Sequence, residues 1–301
     1  MTPTALQQQT DHICPVCLAH DTTMVRPYRT GQVQSFGLFA GLTIRACGRC
    51  ETAFASPLPE ENALEAFYAG SYRAERGEVA VAGSSPWDGG SIRARAQVEF
   101  VTERFSSMRS WLDIGAGHGL LLDEARRRHI ARTGAIEPDI KCGEHLRAAG
   151  HHLYCSLSDV RPSWDVVSCS HVLEHLPNPR QFLRDVQRLL SPEGHIFCEV
   201  PNETALPESP ADLPHLLFFT LSSLKRLFQE SGFTIIAVSS CGRGVSKSRK
   251  RELITAGFRR IYRGLFRQPS RWIDRLVYPH FYYSANPSMG AWLRLLARKA
   301  S

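Results

Sequence analysis

Three groups of residues in this 301-residue chain have the types and spacing that chemistry needs. The first is Cys14-x2-Cys17 with Cys47-x2-Cys50. Each pair can form a tight knuckle presenting two thiolates, and two knuckles complete a tetrahedral zinc site. The alternative is two disulfides or unrelated thiols. The other five cysteines (Cys142, Cys155, Cys169, Cys198 and Cys241) are scattered through apolar strands or helices. That usage suits a reducing compartment, where disulfides are disfavoured. With four thiolates taken by the metal no position stays open, so such a zinc would be structural.

The second group lies in "WLDIGAGHGLLLDEA", from Trp111 to Ala125. It reads as a buried strand, a turn containing Gly115, Gly117 and Gly119, and a helix beginning with Leu120, Leu121 and Leu122. A turn with three glycines lets backbone approach a ligand that a Cβ would push away. The pattern is GxGxG, so the GxGxxG dinucleotide fingerprint is not met. Asp113 offers a carboxylate two residues before the first glycine. The short strand of "TGAIEPD" then ends in Glu137, 20 residues past Gly117. An acid there sits at the tip of the second strand of an α/β fold and can accept hydrogen bonds from ribose hydroxyls.

The third group is "SHVLEH", with His171 and His175 four residues apart and Glu174 between them. A helical turn would put both histidines on one face. Imidazole titrates near neutrality and can act as a general base. The plainer alternative is that Glu174 and His175 cap a turn before Pro177. His215 either reaches the same site or caps the helix expected in "LLFFTLSSLKRLFQESGF". His118 sits inside the glycine turn. His151, His152 and His195 read as structural residues, and Asp123 and Glu124 as solvent-facing.

Taken in order from about Ser91 to Ser240, these segments resemble the class I S-adenosylmethionine-dependent methyltransferases. "HVLEHLPNP" followed by "LLSPEGHIFCEVPN" resembles the subgroup of ubiquinone-type O-methyltransferases and sugar and natural-product methyltransferases. The resemblance implies an α/β fold with a Rossmann-like, seven-stranded, mostly parallel sheet and an antiparallel last strand in "GAWLRLLARKA". It implies S-adenosylmethionine as cofactor. Asp113, Gly115, Ala116 and Gly117 would line its methionine part, with His118 alongside. Glu137 would bind both ribose hydroxyls, with Pro138 beside the adenine. Ser156 and Leu157 would line the adenine, although the usual acid is missing there and Asp159 comes late. Ser170 and His171 would face the sulfonium and the acceptor. In ubiquinone-type relatives a cluster at His171, Glu174 and His175 can bind a divalent metal, and His171 stands where they often carry an acid. "CGRCETAFASPLPEENALEAFYAGSY" resembles the zinc-binding segment that precedes many such domains.

The elements that must position these groups follow. Residues 1–11 read as a disordered lead, 12–57 as the zinc ribbon, and 58–90 as a helix (60–72) and a linker. Residues 91–301 form the remaining domain. It opens with the helix "SIRARAQVEFVTERF". Strands are expected near 111–114, 134–137, 151–155, 164–170, 194–200 and 233–240, and their alternation with helices argues for a mostly parallel sheet. Between the last two strands, 243–285 reads as a basic amphipathic helical insertion. Residues 243–301 carry +12 of charge against +7 for the whole chain, so residues 1–242 carry −5. Such helices suit a packed cap, an anionic membrane surface or lipid-linked substrate, or nucleic acid.

Hydrophobic content of 43% suits a soluble globular protein. No apolar run reaches the roughly 18 residues of a membrane span. The N-terminus lacks a signal-peptide pattern. A cytoplasmic enzyme is expected, with possible peripheral contact at the inner membrane surface. It would methylate a hydroxyl of a small molecule, sugar or lipid-linked glycan. An RNA methyltransferase and a catalytically silent binding protein of the same fold are the alternatives.

Overall fold

A computed structural model describes residues 12–30, 37–70, 89–203, 212, 214–242, 275, 279–282 and 290–300. The expected lead over 1–11, the connector up to 88 and nearly all of the basic insertion lie outside the described residues. Among those described, no helix is long and apolar enough to cross a membrane.

The chain opens with β1 (Thr22–Pro27), β2 (Thr43–Cys47) and β3 (Ala53–Ser56), an antiparallel sheet. Helix α1 (Glu61–Gly70) follows, and α2 (Gly89–Thr102) begins two residues inside the segment expected to be a linker. Then come β4 (Ser110–Ile114), α3 (Leu120–Arg127), β5 (Arg132–Ile136), α4 (Ile140–Ala148), β6 (His152–Tyr154) and β7 (Trp164–Ser170). Helix α5 (Pro179–Leu189), β8 (Leu190–Pro201), β9 (Leu217–Phe218), α6 (Leu221–Glu230), β10 (Phe233–Cys241), α7 (Pro279–Tyr282) and β11 (Trp292–Lys299) complete it.

The large sheet has the order β10-β11-β8-β7-β4-β5-β6. Strands β4 to β8 pair in parallel, and β11 runs antiparallel between β8 and β10. All five residues of β4 are buried, as expected of a strand covered on both faces. Helix α5 buries Phe182, Leu183, Val186 and Leu189 at helical spacing. Asn178 caps it, accepting from the Gln181 N–H, and Pro179 supplies a pre-set φ in its first turn. From β4 the chain builds outward to β5 and β6, then returns to β7 on the other side. That reversal opens a crevice at the carboxyl ends of β4 and β7, where ligands of open α/β sheets bind.

Two features were not anticipated. "HLLFF" does not begin a helix. Leu217 and Phe218 form β9, which pairs antiparallel with β3 and becomes the fourth strand of the N-terminal sheet. Ribbon and main domain also share one apolar core, in which Cys14, Cys50 and Phe54 pack with Leu217, Phe219 and Leu227.

The second feature is an ion network inside the large sheet. Glu199 of β8 is fully buried and lies in register with Ser170 of β7 and Arg294 of β11. It pairs with Arg294, itself 1% exposed, and with Arg93 of α2, and accepts from Gln97 at 2.9 Å. A buried carboxylate is tolerated only with such partners. Glu199→Ala, which strands the buried Arg294 guanidinium and removes the partner of the half-buried Arg93, should lower unfolding free energy by about 3–5 kcal/mol in urea titrations, with Glu199→Gln less severe. An unchanged midpoint for Glu199→Ala would contradict the assignment.

Candidate active site

The glycine turn joins β4 to α3. Gly115, Gly117 and Gly119 all have positive φ, at 70°, 55° and 76°. A Cβ on Gly115 would lie 2.5 Å from Val172 Cγ2, so that glycine serves close packing of the loop after β7 as well as its own backbone angle. Gly115 and Ala116 donate to the Ile136 carbonyl at 2.8 and 3.3 Å, which seats the turn against the end of β5.

Glu137 stands at that end. The Gly117 N–H donates to Glu137 Oε2 at 2.6 Å, and the Asp139 N–H to Oε1 at 3.0 Å. The acid and the glycine turn are therefore in contact. Pro138 is exposed beside them, and Asp139 caps α4. Ile136 pairs with Tyr154, so Ser156 and Leu157 lie just beyond the same edge. Asp159 turns back, accepting from the Ser156 N–H at 3.0 Å and from its hydroxyl at 3.0 Å, which explains an acid two or three residues later than the usual place.

Asp113 lies below this turn, 3% exposed, and accepts from the Ser168 hydroxyl at 2.6 Å. Ser168 also accepts from the Trp111 indole at 2.8 Å. Burial, with a contribution from the negative charge of Glu137, pushes the Asp113 carboxyl up to about 7 although Ser168 opposes the shift. Asp113 thus braces β4 against β7 beneath the cradle. The His118 ring turns toward α4, with Nδ1 3.6 Å from Cys142 Sγ.

At the end of β7 the chain takes a sharp turn. His171 has φ 56°, a left-handed conformation that costs a non-glycine residue energy and is concentrated at functional sites. Its Nδ1 lies 3.1 Å from Glu174 Oε1. Glu174 is 1% exposed and otherwise without hydrogen-bond partners for its two oxygens. His175 Nε2 lies 3.9 Å from it, and the His215 ring is 5.0 Å from that of His175. Ligand atoms of Glu174, His175 and His215 all fall within 4.8 Å of one another, a spacing that could hold a metal ion. Burial raises the Glu174 pKa, but His171, His175 and His215 together outweigh it and bring it down to about 2.

The four residues expected to act together, His171, Glu174, His175 and His215, are gathered in one cluster. His171 Nε2 is buried and lies 4.0 Å from Glu199 Oε1, so two carboxylates bracket the imidazole. Ser170 looks the other way. Its hydroxyl accepts from Arg93 at 3.1 Å and from Gln97 at 2.9 Å, inside the Glu199 network. Glu199 escaped the sequence reading, although an acid in the middle of the apolar run "HIFCEVP" was its available signal. Tyr68 of α1, packed edge-on to His175 at 5.5 Å, carried none.

In the ribbon, the four sulfurs lie within 4.8 Å of one another, with Cys14–Cys50 and Cys17–Cys47 each at 3.5 Å. These separations are far beyond an S–S bond of about 2.05 Å. They approach the roughly 3.8 Å that a zinc tetrahedron with 2.3 Å bonds requires.

Residues 91–238 match the family model described as a methyltransferase domain. Curated relatives include a ubiquinone biosynthesis O-methyltransferase of Sodalis glossinidius, 26% identical over 123 residues (35% of this chain, 47% of that one). The enzyme of that name from Idiomarina loihiensis is 34% identical over 101 residues, 30% of this chain and 42% of its own. The chain spans about half the length of the curated relatives it matches. Among solved structures, the plantazolicin methyltransferase BpumL in complex with SAH superposes with a TM-score of 0.50 at 16% identity, covering 79% of this chain and 95% of that one. Residues 91–238 thus carry a methyltransferase domain, and the superposition on BpumL shows its fold.

The pKa shifts fix opposite pH dependences. Burial raises the Glu199 pKa, but Arg294, Arg93 and His171 outweigh it and bring it from 4.5 to about 2, so its stabilisation is present above pH 4.5 and lost as pH falls toward 2. Asp113, raised from 3.8 to about 7, binds its proton more tightly in the folded chain, so its contribution declines as pH rises between those values. Urea midpoints of Asp113→Asn should lose that decline. A wild-type-like slope between pH 4 and 7 would contradict the assignment.

Proposed function

We propose that this chain transfers the methyl group of S-adenosylmethionine to a hydroxyl oxygen of a small molecule, sugar or lipid-linked glycan. The observation that carries this reading is the placement of the His171–Glu174 pair at the end of β7, beside the strand whose glycine turn holds Glu137. O-methylation also fits the relatives named as ubiquinone biosynthesis O-methyltransferases. S-adenosylmethionine would supply a methyl group already activated on a sulfonium. The protein's work is then to align the partners, exclude water and remove a proton.

Gly115, Ala116 and Gly117 provide the backbone floor for the methionine end, with Asp113 bracing it and His118 at its flank. Glu137 takes the ribose hydroxyls, and Pro138, Ser156 and Leu157 flank the adenine. His171, held by Glu174, is the residue placed to take up the acceptor's hydroxyl proton. Ser170 anchors the turn that presents it.

A second reading of the same cluster is favoured by the buried oxygens of Glu174. Glu174, His175 and His215 would hold a divalent cation that lowers the pKa of the acceptor hydroxyl. Dependence of the rate on added Mg²⁺ or Mn²⁺ separates the two. The ribbon would hold one structural zinc through Cys14, Cys17, Cys47 and Cys50. Hydrogen bonding with Cys50 and then burial push Cys14 up, burial pushes Cys17 up to about 11, and hydrogen bonding with Cys14 brings Cys50 down to about 5. A divalent cation would favour the thiolate at all four positions.

Calorimetry with S-adenosylhomocysteine should show binding to the wild-type chain that Glu137→Ala weakens at least tenfold. Mass-spectrometric screening of hydroxylated compounds for gain of one methyl should identify an acceptor, with His171→Asn slower by about 10²–10⁴-fold. No S-adenosylhomocysteine binding would overturn the cofactor assignment. Product formed only on RNA would replace the acceptor class, and binding without any product would favour the silent protein.

Metal analysis should give about one zinc per chain, lost with unfolding of the ribbon in Cys47→Ser. A metal-free wild-type chain with an ordered ribbon would contradict the zinc assignment.

A further inference from the structure

The ribbon meets the main domain through Arg180 on the Val16 carbonyl, Ser222 on Glu51 and Arg49 beside Glu230, and through a denser set of bonds to one segment. β9 pairs with β3 through Ala53–Phe218 and Phe54–Leu217, and the Ala55 N–H donates to the Leu216 carbonyl at 2.8 Å. The Tyr28 hydroxyl donates to the His215 carbonyl at 2.9 Å. His215 in turn donates its N–H to the Asp212 carbonyl at 2.8 Å. Asp212 has a side chain 2% exposed. It accepts from Arg26 at 2.5 and 2.8 Å and from the Arg29 N–H at 2.8 Å, and its own N–H donates to the Arg29 carbonyl at 2.8 Å.

On its other side the same segment grips the histidine cluster. The Leu216 N–H donates to the Glu174 carbonyl at 2.8 Å, and His175 Nδ1 lies 3.3 Å from the Pro214 carbonyl. Phe218 packs edge-on to His215 at 6.3 Å between ring centres. Asp212 and residues 214–218 thus form a strap with the ribbon on one side and Glu174 and His175 on the other. Among the described residues, the His171 backbone makes no bond to this strap. Its N–H bonds to the Glu199 carbonyl at 2.8 Å, within the large sheet.

We propose that the ribbon is a positioning device for the active site, with Tyr28 and Asp212 as positioning residues that hold His215 against Glu174 and His175. This inference rests on the methyl-transfer reading of the histidine cluster. The physical argument is one of preorganisation. A segment with so little regular structure of its own would sample many conformations, each loosening the geometry that catalysis needs. Fixing it from a metal-bound module makes the placement of His215 depend on residues far from it in the chain. A ribbon serving only to stabilise the fold would not bond selectively to the backbone on either side of that histidine.

The test uses the full-length chain and needs no acceptor. Tyr28→Phe removes one hydroxyl and keeps the ring that stacks on Phe39. Asp212→Asn removes the charge that Arg26 and Arg29 hold. Ring Cε1–H resonances of His171, His175 and His215, assigned by their loss in single His→Gln variants, report each imidazole. In both variants the His215 and His175 signals should move by more than a line width while that of His171 stays. Amide exchange at Leu216 should speed up by about tenfold or more, as expected for local opening. Unmoved His215 and His175 signals in both variants would overturn the proposal. So would a common shift of all three, which marks general destabilisation. Calorimetry with S-adenosylhomocysteine on the unsubstituted chain scores the methyl-transfer reading separately, so failure of either is visible alone.

Discussion

The hydrogen bond from the Gly117 N–H to Glu137 closes the cradle on which the remaining site depends. It links the turn after β4 to the tip of β5, and so converts two strand ends into one surface. A carboxylate that accepts from two backbone N–H groups is held in place. We propose that the same acid meets the vicinal hydroxyls of a ribose. Gly117 can donate in this direction because its φ of 55° turns the peptide toward β5. The rest of the sheet supports that geometry. Asp113 and Ser168 tie β4 to β7 underneath, and Glu199 ties β7 and β8 to α2 and β11.

Two buried carboxylates do different work on either side of His171. Glu199 is neutralised by arginines and serves the architecture. Glu174 faces the imidazoles of His171 and His175 instead. His171 lies between them, 3.1 Å from one carboxylate and 4.0 Å from the other, in a backbone conformation held by its bond to β8. The strain at that residue is what brings its ring back toward Glu174 instead of letting it continue along the strand.

Much of this was legible in the chain. The alternation of short apolar runs with helical periodicity fixes a parallel sheet, because each strand covered on both faces must be apolar along its length. Glu137 was legible because an acid about 20 residues past a glycine turn sits at the tip of the second strand of an α/β fold. Cys14, Cys17, Cys47 and Cys50 were legible by spacing alone. What escaped depends on contacts distant in sequence. The pairing of β9 with β3 joins residues more than 160 apart, and a two-residue strand leaves no periodic signal. "HLLFF" is equally apolar as strand or helix, and only the exposed edge of the ribbon sheet decides between them. The Tyr28 and Asp212 contacts are likewise side-chain-to-backbone bonds that no local pattern announces.

The central claim is that Glu137 and the glycine turn form the binding site of a sulfonium nucleoside, aimed at His171. A crystal structure of the chain with S-adenosylhomocysteine tests it most directly. The account predicts both ribose hydroxyls about 3 Å from the Glu137 carboxylate, with the sulfur over the end of β7 on the side of His171. A nucleoside seated elsewhere, or seated here with its sulfur turned away from His171, would contradict it.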